Sequence, residues 1–228
     1  MKIQTQIFIG LITLLISISS SHSLCSAGEK PLVIVALGDS TTAGTPGFRS
    51  PAESPPAGSG NPESQYGYWM RERHPDWKVI NRGINGQRSD QILRRFDSDV
   101  LSNKPEVLIV LAGVNDLYQG VPVEDIQNVL KEIYKKAEEN NIKVVACTVL
   151  PYNNITPDVL EDMMILNRWI KFYAKEKGLG FTDTFRAVED PEKPRTLPNS
   201  PDGLHPDVTG YRKIGNAITD EIEQYYSS

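Results

Sequence analysis

Three side chains in this sequence have the types and spacing that acyl transfer demands. Ser40 follows an unbroken apolar run, Val33–Leu37, that stops at Gly38-Asp39. Far along the chain, His205 stands three residues after Asp202, with Gly203 between them. A serine hydroxyl is a weak nucleophile until a base takes its proton, and that base must itself be oriented. One turn across Gly203 sets the Asp202 carboxylate beside the His205 imidazole, where it selects the tautomer and stabilises the imidazolium. The oxyanion of a tetrahedral intermediate then needs donors aimed in advance. The backbone N–H groups of Ser40 and Gly83 and the side-chain amide of Asn115 are the candidates.

Each of these residues also has an ordinary reading. Gly-Asp-Ser-Thr-Thr at 38–42 is a strand-to-helix turn whose Asp and hydroxyls can cap backbone donors. Gly83 reads as a left-handed turn residue, and Asn115-Asp116 as a loop-capping pair. Asp202-Gly203 is a frequent turn dipeptide. The argument for chemistry lies in where the elements put them.

Val33–Leu37 reads as a strand buried on both faces, which belongs to a parallel sheet covered by helices. Further strands are expected at Trp77–Asn81, Val107–Ala112, Ile142–Leu150 and Gly180–Asp183. Between them lie amphipathic helical stretches: Tyr66–Arg73, a helix capped by Ser89, Pro122–Asn140, and a long helix opened by Thr156-Pro157 and closed near Gly178. A last helix is expected over Asp207–Gln224. Alternating strands and helices predict a three-layer α/β/α sandwich with a five-stranded parallel sheet. In such a sheet the loops after the strands share one edge, so Ser40, Gly83, Asn115 and His205 converge there.

Ala43–Ser64 interrupts the pattern. Its five prolines, among Gly and Ser, exclude regular helix or strand. Leaving the sheet just after Ser40, this insert is expected to pass over or beside the crevice, to wall one side of it and so to limit acyl length.

With 228 residues, 39% of them hydrophobic, and a formal charge of −5, the chain suits one soluble domain and not a nucleic-acid partner. Residues 1–27 have the layout of a secretory signal: Lys2, an apolar run from Ile7 to Ile18, then small and polar residues. Twelve residues are too few to span a bilayer comfortably. A secreted or periplasmic domain over 28–228, without a membrane span, is the expectation. Cys25 raises lipidation as a lesser alternative, since Leu24 precedes it where a small residue is wanted. Removing the leader leaves Cys147 alone, and only His74 and His205 as histidines.

Four blocks, Gly38-Asp39-Ser40-Thr41-Thr42, Arg82-Gly83, Gly113-Val114-Asn115-Asp116 and Asp202-Gly203-Leu204-His205-Pro206, resemble those of the SGNH (GDSL-type) hydrolase superfamily in order and spacing. The resemblance covers Pro31 to the C-terminus. It implies a flavodoxin-like fold and esterase or lipase activity on carboxylic esters, with no cofactor and no metal. By match of block, Ser40 is the nucleophile, Asp202 and His205 finish a triad, and Gly83 and Asn115 complete the oxyanion hole with Ser40. Short acyl or acetyl esters of small molecules, carbohydrates or lipids are the expected substrates.

The rival readings are weaker. An α/β-hydrolase would show Gly-x-Ser-x-Gly, but Thr42 holds the place of the second glycine. Two separated histidines do not make a metal cluster. Within the superfamily, a lysophospholipase or thioesterase remains the alternative enzyme. A non-catalytic carbohydrate-binding module, stacking sugars on Tyr66, Tyr68, Trp69, Tyr118 or Tyr152, is the alternative from another class.

Overall fold

The computed structural model describes residues 30–226; the leader expected over 1–27, and Cys25 with it, lies outside them. The first half of the chain runs β1 (Val33–Gly38), α1 (Ser40–Ala43), β2 (Phe48–Arg49), β3 (Ser59–Gly60), α2 (Tyr66–Arg73), β4 (Lys78–Gly83), α3 (Ser89–Arg94) and α4 (Phe96–Asp99). The second half runs β5 (Val107–Leu111), α5 (Val114–Tyr118), α6 (Val123–Glu139), β6 (Lys143–Cys147), α7 (Pro157–Lys177), β7 (Gly180–Thr182), α8 (Thr184–Val188) and α9 (Val208–Tyr226).

β1, β4, β5, β6 and β7 form one five-stranded sheet in the order β4-β1-β5-β6-β7, every pair parallel. Strand alternation divides the core into two layers. Val35, Leu37, Leu108 and Val110 face one side and pack with Ile92, Phe96, Ile133 and Leu166. Ile34, Ala36, Ile109 and Val145 face the other and pack with Met70, Tyr211, Ile214 and Ile218. Helices cover both faces, which is why β1 is buried at all six positions. The three-layer α/β/α fold is the one its sequence pattern predicts.

β1 has β4 on one side and β5 on the other, so the order of strands reverses around it. The crevice of an open α/β sheet lies at such a reversal, beyond the carboxyl ends of the strands. Ser40 follows β1 and Asn115 follows β5, on the two banks of that crevice.

Three local expectations need correction. The insert is not wholly irregular: Phe48–Arg49 and Ser59–Gly60 pair as a short antiparallel hairpin, and Pro62–Ser64 makes a single 3-10 turn. Ser89 is the first helical residue rather than the cap, and the helix breaks at Arg95 before α4. β6 stops at Cys147 because side chains take over the backbone beyond it: Asn167 on α7 accepts from the Val149 N–H and donates to the Val149 carbonyl, at 2.7 and 2.8 Å.

Candidate active site

Ser40 is positioned by the sharp exit from β1. The Asp39 carboxylate accepts the Thr41 N–H at 3.0 Å and so caps α1. Thr42 and the buried Tyr66 hydroxyl, 3.1 Å apart, tie the same turn to α2. The N–H of Ser40, at the start of α1, has no hydrogen-bond partner among the described residues. That leaves one donor beside the hydroxyl.

His205 is held by the turn its sequence suggests. Asp202 Oδ1 accepts the backbone N–H groups of Leu204 and His205 at 2.9 and 2.8 Å, with Gly203 at φ +78° making the bend. Asp202 Oδ2 lies 2.7 Å from His205 Nδ1, and His205 Nε2 lies 2.8 Å from Ser40 Oγ. With Nδ1–H donated to the carboxylate, Nε2 is the nitrogen that accepts the Ser40 hydroxyl. Partial burial would raise the Asp202 carboxyl, but the His205 side chain and the backbone donors of His205 and Leu204 outweigh it. They hold the carboxyl below the usual carboxylate range.

Asn115 lies at the start of α5, and its Nδ2 donates to the Gln87 carbonyl at 2.9 Å. One N–H of that amide is thereby committed and the amide's orientation set, leaving the second N–H. Gln87 closes a tight turn, Ile84–Gln87, whose third residue is Gly86.

Gly83 is placed otherwise than the resemblance implied. It is the last residue of β4, in register with Gly38, and its N–H donates to Asn81 Oδ1 at 2.9 Å. Nor is it a left-handed turn residue, for it has no positive φ. Its lack of a side chain serves packing: a Cβ there would meet the Ala43 nitrogen at 2.0 Å. The glycine on the same turn as Asn115's partner is Gly86. It is exposed, has φ +73°, and its N–H has no partner among the described residues. The dipeptide Asn85-Gly86 is the sequence signal that marks this turn.

Asp39, Ser40, Thr41, His205 and the apolar side chains of Leu111, Ala112, Val114, Val149, Leu150 and Leu204 line a pocket of about 10 Å³, the room of one water molecule. No residue of the insert lines it. The insert packs instead against β4 at the sheet edge, where Pro51, Pro55 and Pro56 face Val79, Ile80 and Arg82 across a groove.

Behind the pocket lies a buried polar network. Burial pushes the Asp39 carboxyl up to about 7; the Asp116 charge adds to this, while the Thr41 N–H and Arg95 oppose it. Burial also raises Asp116, against the hydrogen bonds it accepts from Ser89 N–H and Oγ at 2.9 and 2.6 Å. Arg95 donates to the carbonyls of Gly38 and Arg82 at 2.7 and 2.8 Å and to Gln87 Oε1 at 2.7 Å, which ties the ends of β1 and β4 to the Gly86 turn. Ser89, Arg95 and Gln87 lie outside the four sequence blocks, because each acts through contacts between loops.

His74 lies away from this cluster, stacked on Trp77 at 3.9 Å and 2.6 Å from Glu223. Of the aromatics that suggested sugar stacking, Tyr66 and Tyr152 are buried and Trp69 packs against the core and donates to the Glu63 carbonyl. Tyr118 is 72% exposed, one helical turn after Asn115. Among the described residues no group of three or more His, Cys, Asp or Glu is disposed to hold a metal ion.

A family model described as the GDSL-like lipase/acylhydrolase family matches residues 36–213. The chain is 25% identical over 161 residues to an acetylxylan esterase of Geobacillus stearothermophilus, a match covering 64% of this chain and 72% of that protein. A shorter match, 33% identical over 79 residues and 32% of each chain, is to an uncharacterized lipoprotein of Bacillus subtilis strain 168. Among solved structures, a protein from Desulfitobacterium hafniense DCB-2 assigned to the G-D-S-L lipolytic family superposes with a TM-score of 0.70 at 27% identity, covering 83% of this chain and 99% of that one.

Proposed function

The chain belongs to the GDSL-like lipase/acylhydrolase family of ester-hydrolysing enzymes, and from that premise we propose that it is an exported serine esterase that removes short acyl groups, acetyl foremost, from a carbohydrate or other small alcohol. The observation that carries the mechanism is the unbroken chain from Asp202 Oδ2 through the His205 ring to Ser40 Oγ, with links of 2.7 and 2.8 Å.

Ser40 Oγ attacks the ester carbonyl carbon while its proton passes to His205 Nε2. The imidazolium is stabilised by Asp202, which stays ionised. Charge gathers on the former carbonyl oxygen, and the N–H groups of Ser40 and Gly86 with the free N–H of Asn115 receive it. His205 then protonates the departing alcohol. Water enters the vacated position, gives its proton to His205 and hydrolyses the acyl-Ser40 ester, releasing the acid and restoring the hydroxyl. Gly86 takes the place that the resemblance gives to Gly83, whose N–H is spent on Asn81.

A pocket the size of one water admits the methyl of an acetyl group and little more, so longer chains must find room outside it. The acetylxylan esterase among the relatives supports the same substrate class. So does Tyr118, an exposed ring one helical turn after Asn115, of the kind that stacks on sugars. The lipoprotein relative supports a location outside the cytoplasm; sequencing the mature N-terminus in the source cell tests that part, with a start between Leu24 and Gly28 expected and retention of residues 1–23 contradicting it. The activity itself is tested by rates on p-nitrophenyl acetate, butyrate and octanoate and on acetylated xylooligosaccharides. A fall of kcat/KM from acetate to octanoate, with acetate release from the sugar, is the expected result. A rise with chain length contradicts it.

A further inference from the structure

Although the Pro-rich insert stands clear of the acyl pocket, three of its side chains close on the loop that follows β4. Ser50, fully buried, donates its hydroxyl to the Gly83 carbonyl. Glu53 Oε1 accepts the backbone N–H of Asn85 at 2.9 Å, and its two oxygens accept the Asn85 Nδ2 amide at 2.9 and 2.8 Å. Thr45 donates its hydroxyl to Asn85 Oδ1. Both ends of the Asn85 side chain and its backbone donor are therefore held by the insert.

Gln87, on the far side of Gly86, is held by Asn115 on α5 and by Arg95 between α3 and α4. Gly86 thus sits between two clamped neighbours. Its φ of +73° belongs to the turn with positive φ at the third residue. The common alternative turn differs by rotation of the central peptide through roughly half a revolution, and glycine at the third position accepts either form. That peptide carries the Gly86 N–H, so the rotation would swing the donor away from where it points now. Fixing Asn85 on its backbone N–H and on both side-chain ends opposes the rotation.

We propose that Glu53 is a positioning residue for ester hydrolysis: through Asn85 it holds the Ile84–Gln87 turn in the form that presents the Gly86 N–H to the oxyanion. This rests on the esterase reading above. It gives the insert a role in the rate of the chemical step rather than in the shape of the acyl pocket. Losing a whole oxyanion donor costs about 10²–10³-fold in kcat. Loosening one is expected to cost less, roughly tenfold.

The test is a kcat and KM comparison on p-nitrophenyl acetate for Glu53→Ala, Glu53→Gln, Asn85→Ala and the Glu53→Ala/Asn85→Ala double variant, with Ser40→Ala alongside. Glu53→Ala is expected to lower kcat about tenfold with KM nearly unchanged. Glu53→Gln keeps an oxygen for both Asn85 donors and is expected to stay within about threefold of the parent. On the Asn85→Ala background, where only the backbone N–H at position 85 still reaches Glu53, Glu53→Ala is expected to cost clearly less than it does in the parent. A folded Glu53→Ala enzyme with parental kcat, or losses that multiply in the double variant, overturns the proposal. Should Glu53→Ala fail to fold, Asn85→Asp places a second carboxylate against Glu53. It is expected to lower kcat and to be rescued by Glu53→Gln; equal rates in both backgrounds overturn the proposal. A Ser40→Ala protein that still hydrolyses the ester sinks the esterase mechanism itself. A dead Ser40→Ala beside an unaffected Glu53→Ala sinks only the role of Glu53.

Discussion

The side-chain amide of Asn115 gives one of its two N–H bonds to the Gln87 carbonyl, 2.9 Å away. That bond decides which end of the amide faces the turn and leaves the second N–H for the oxyanion of the proposed reaction. Asn115→Ala is therefore expected to lower kcat by about 10²–10³-fold while leaving KM nearly unchanged. Steady-state kinetics on an acetyl ester check this; a change confined to KM would make Asn115 a substrate-binding residue instead.

The two histidines of the described chain should separate cleanly. His205→Ala is expected to abolish turnover. His74, stacked on Trp77 and paired with Glu223 where α2 meets α9, is expected to leave kcat within about twofold when changed to alanine. Its loss should instead lower the thermal midpoint by about 2–4 °C. Thermal melts beside rate measurements decide it, and a tenfold drop in kcat for His74→Ala would refute the assignment of the base.

Leu204 lines the small pocket beside Ser40 while its backbone N–H serves the Asp202 turn. Leu204→Ala removes the side chain and keeps that hydrogen bond. The ratio of butyryl to acetyl kcat/KM is expected to rise by about tenfold or more, the worth of a methylene or two in an apolar pocket. An unchanged acyl-length profile would place the acyl group elsewhere.

Asp39 makes a prediction about stability. Its folded carboxyl lies at about 7 against an ordinary 3.8, chiefly through burial. Between those values the folded chain holds a proton that the unfolded chain has released. This group's contribution to stability is therefore full below about pH 4 and is lost as pH rises to about 7. Asp39→Asn, which keeps an oxygen for the Thr41 N–H, should flatten that decline. Urea midpoints at pH 5 and pH 8 measure it; a variant with the parental difference between the two would show that Asp39 is already ionised in the fold.

Much of the architecture is legible in the amino-acid sequence. Apolar runs such as Val33–Leu37, alternating with amphipathic stretches, announce a parallel sheet, because strands buried on both faces have no other home. The order of motifs then puts Ser40, Asn115 and His205 at one edge. What local pattern cannot convey is how loops meet. Gly83 sits in a recognisable block, yet its N–H is consumed by Asn81, two residues back in the same strand. Gly86 carries its own signal in Asn85-Gly86, a turn dipeptide that the block pattern overshadows. The insert's prolines correctly exclude long regular elements. They say nothing of direction, and the loop packs on the end of β4 and the turn after it through Ser50 and Glu53, with none of its residues lining the pocket at Ser40. Arg95 belongs to none of the four blocks, yet its guanidinium bridges the ends of β1 and β4.

The account stands most directly on Ser40, and covalent labelling tests it. The protein is treated with diisopropyl fluorophosphate, digested, and mapped by mass spectrometry while hydrolysis of p-nitrophenyl acetate is followed. The predicted result is a single adduct on Ser40, formed in step with loss of activity, and activity lowered by about 10⁴-fold or more in a folded Ser40→Ala protein. Full inhibition with the adduct on Ser59 or Ser89, or a Ser40→Ala protein that still turns over, would contradict it.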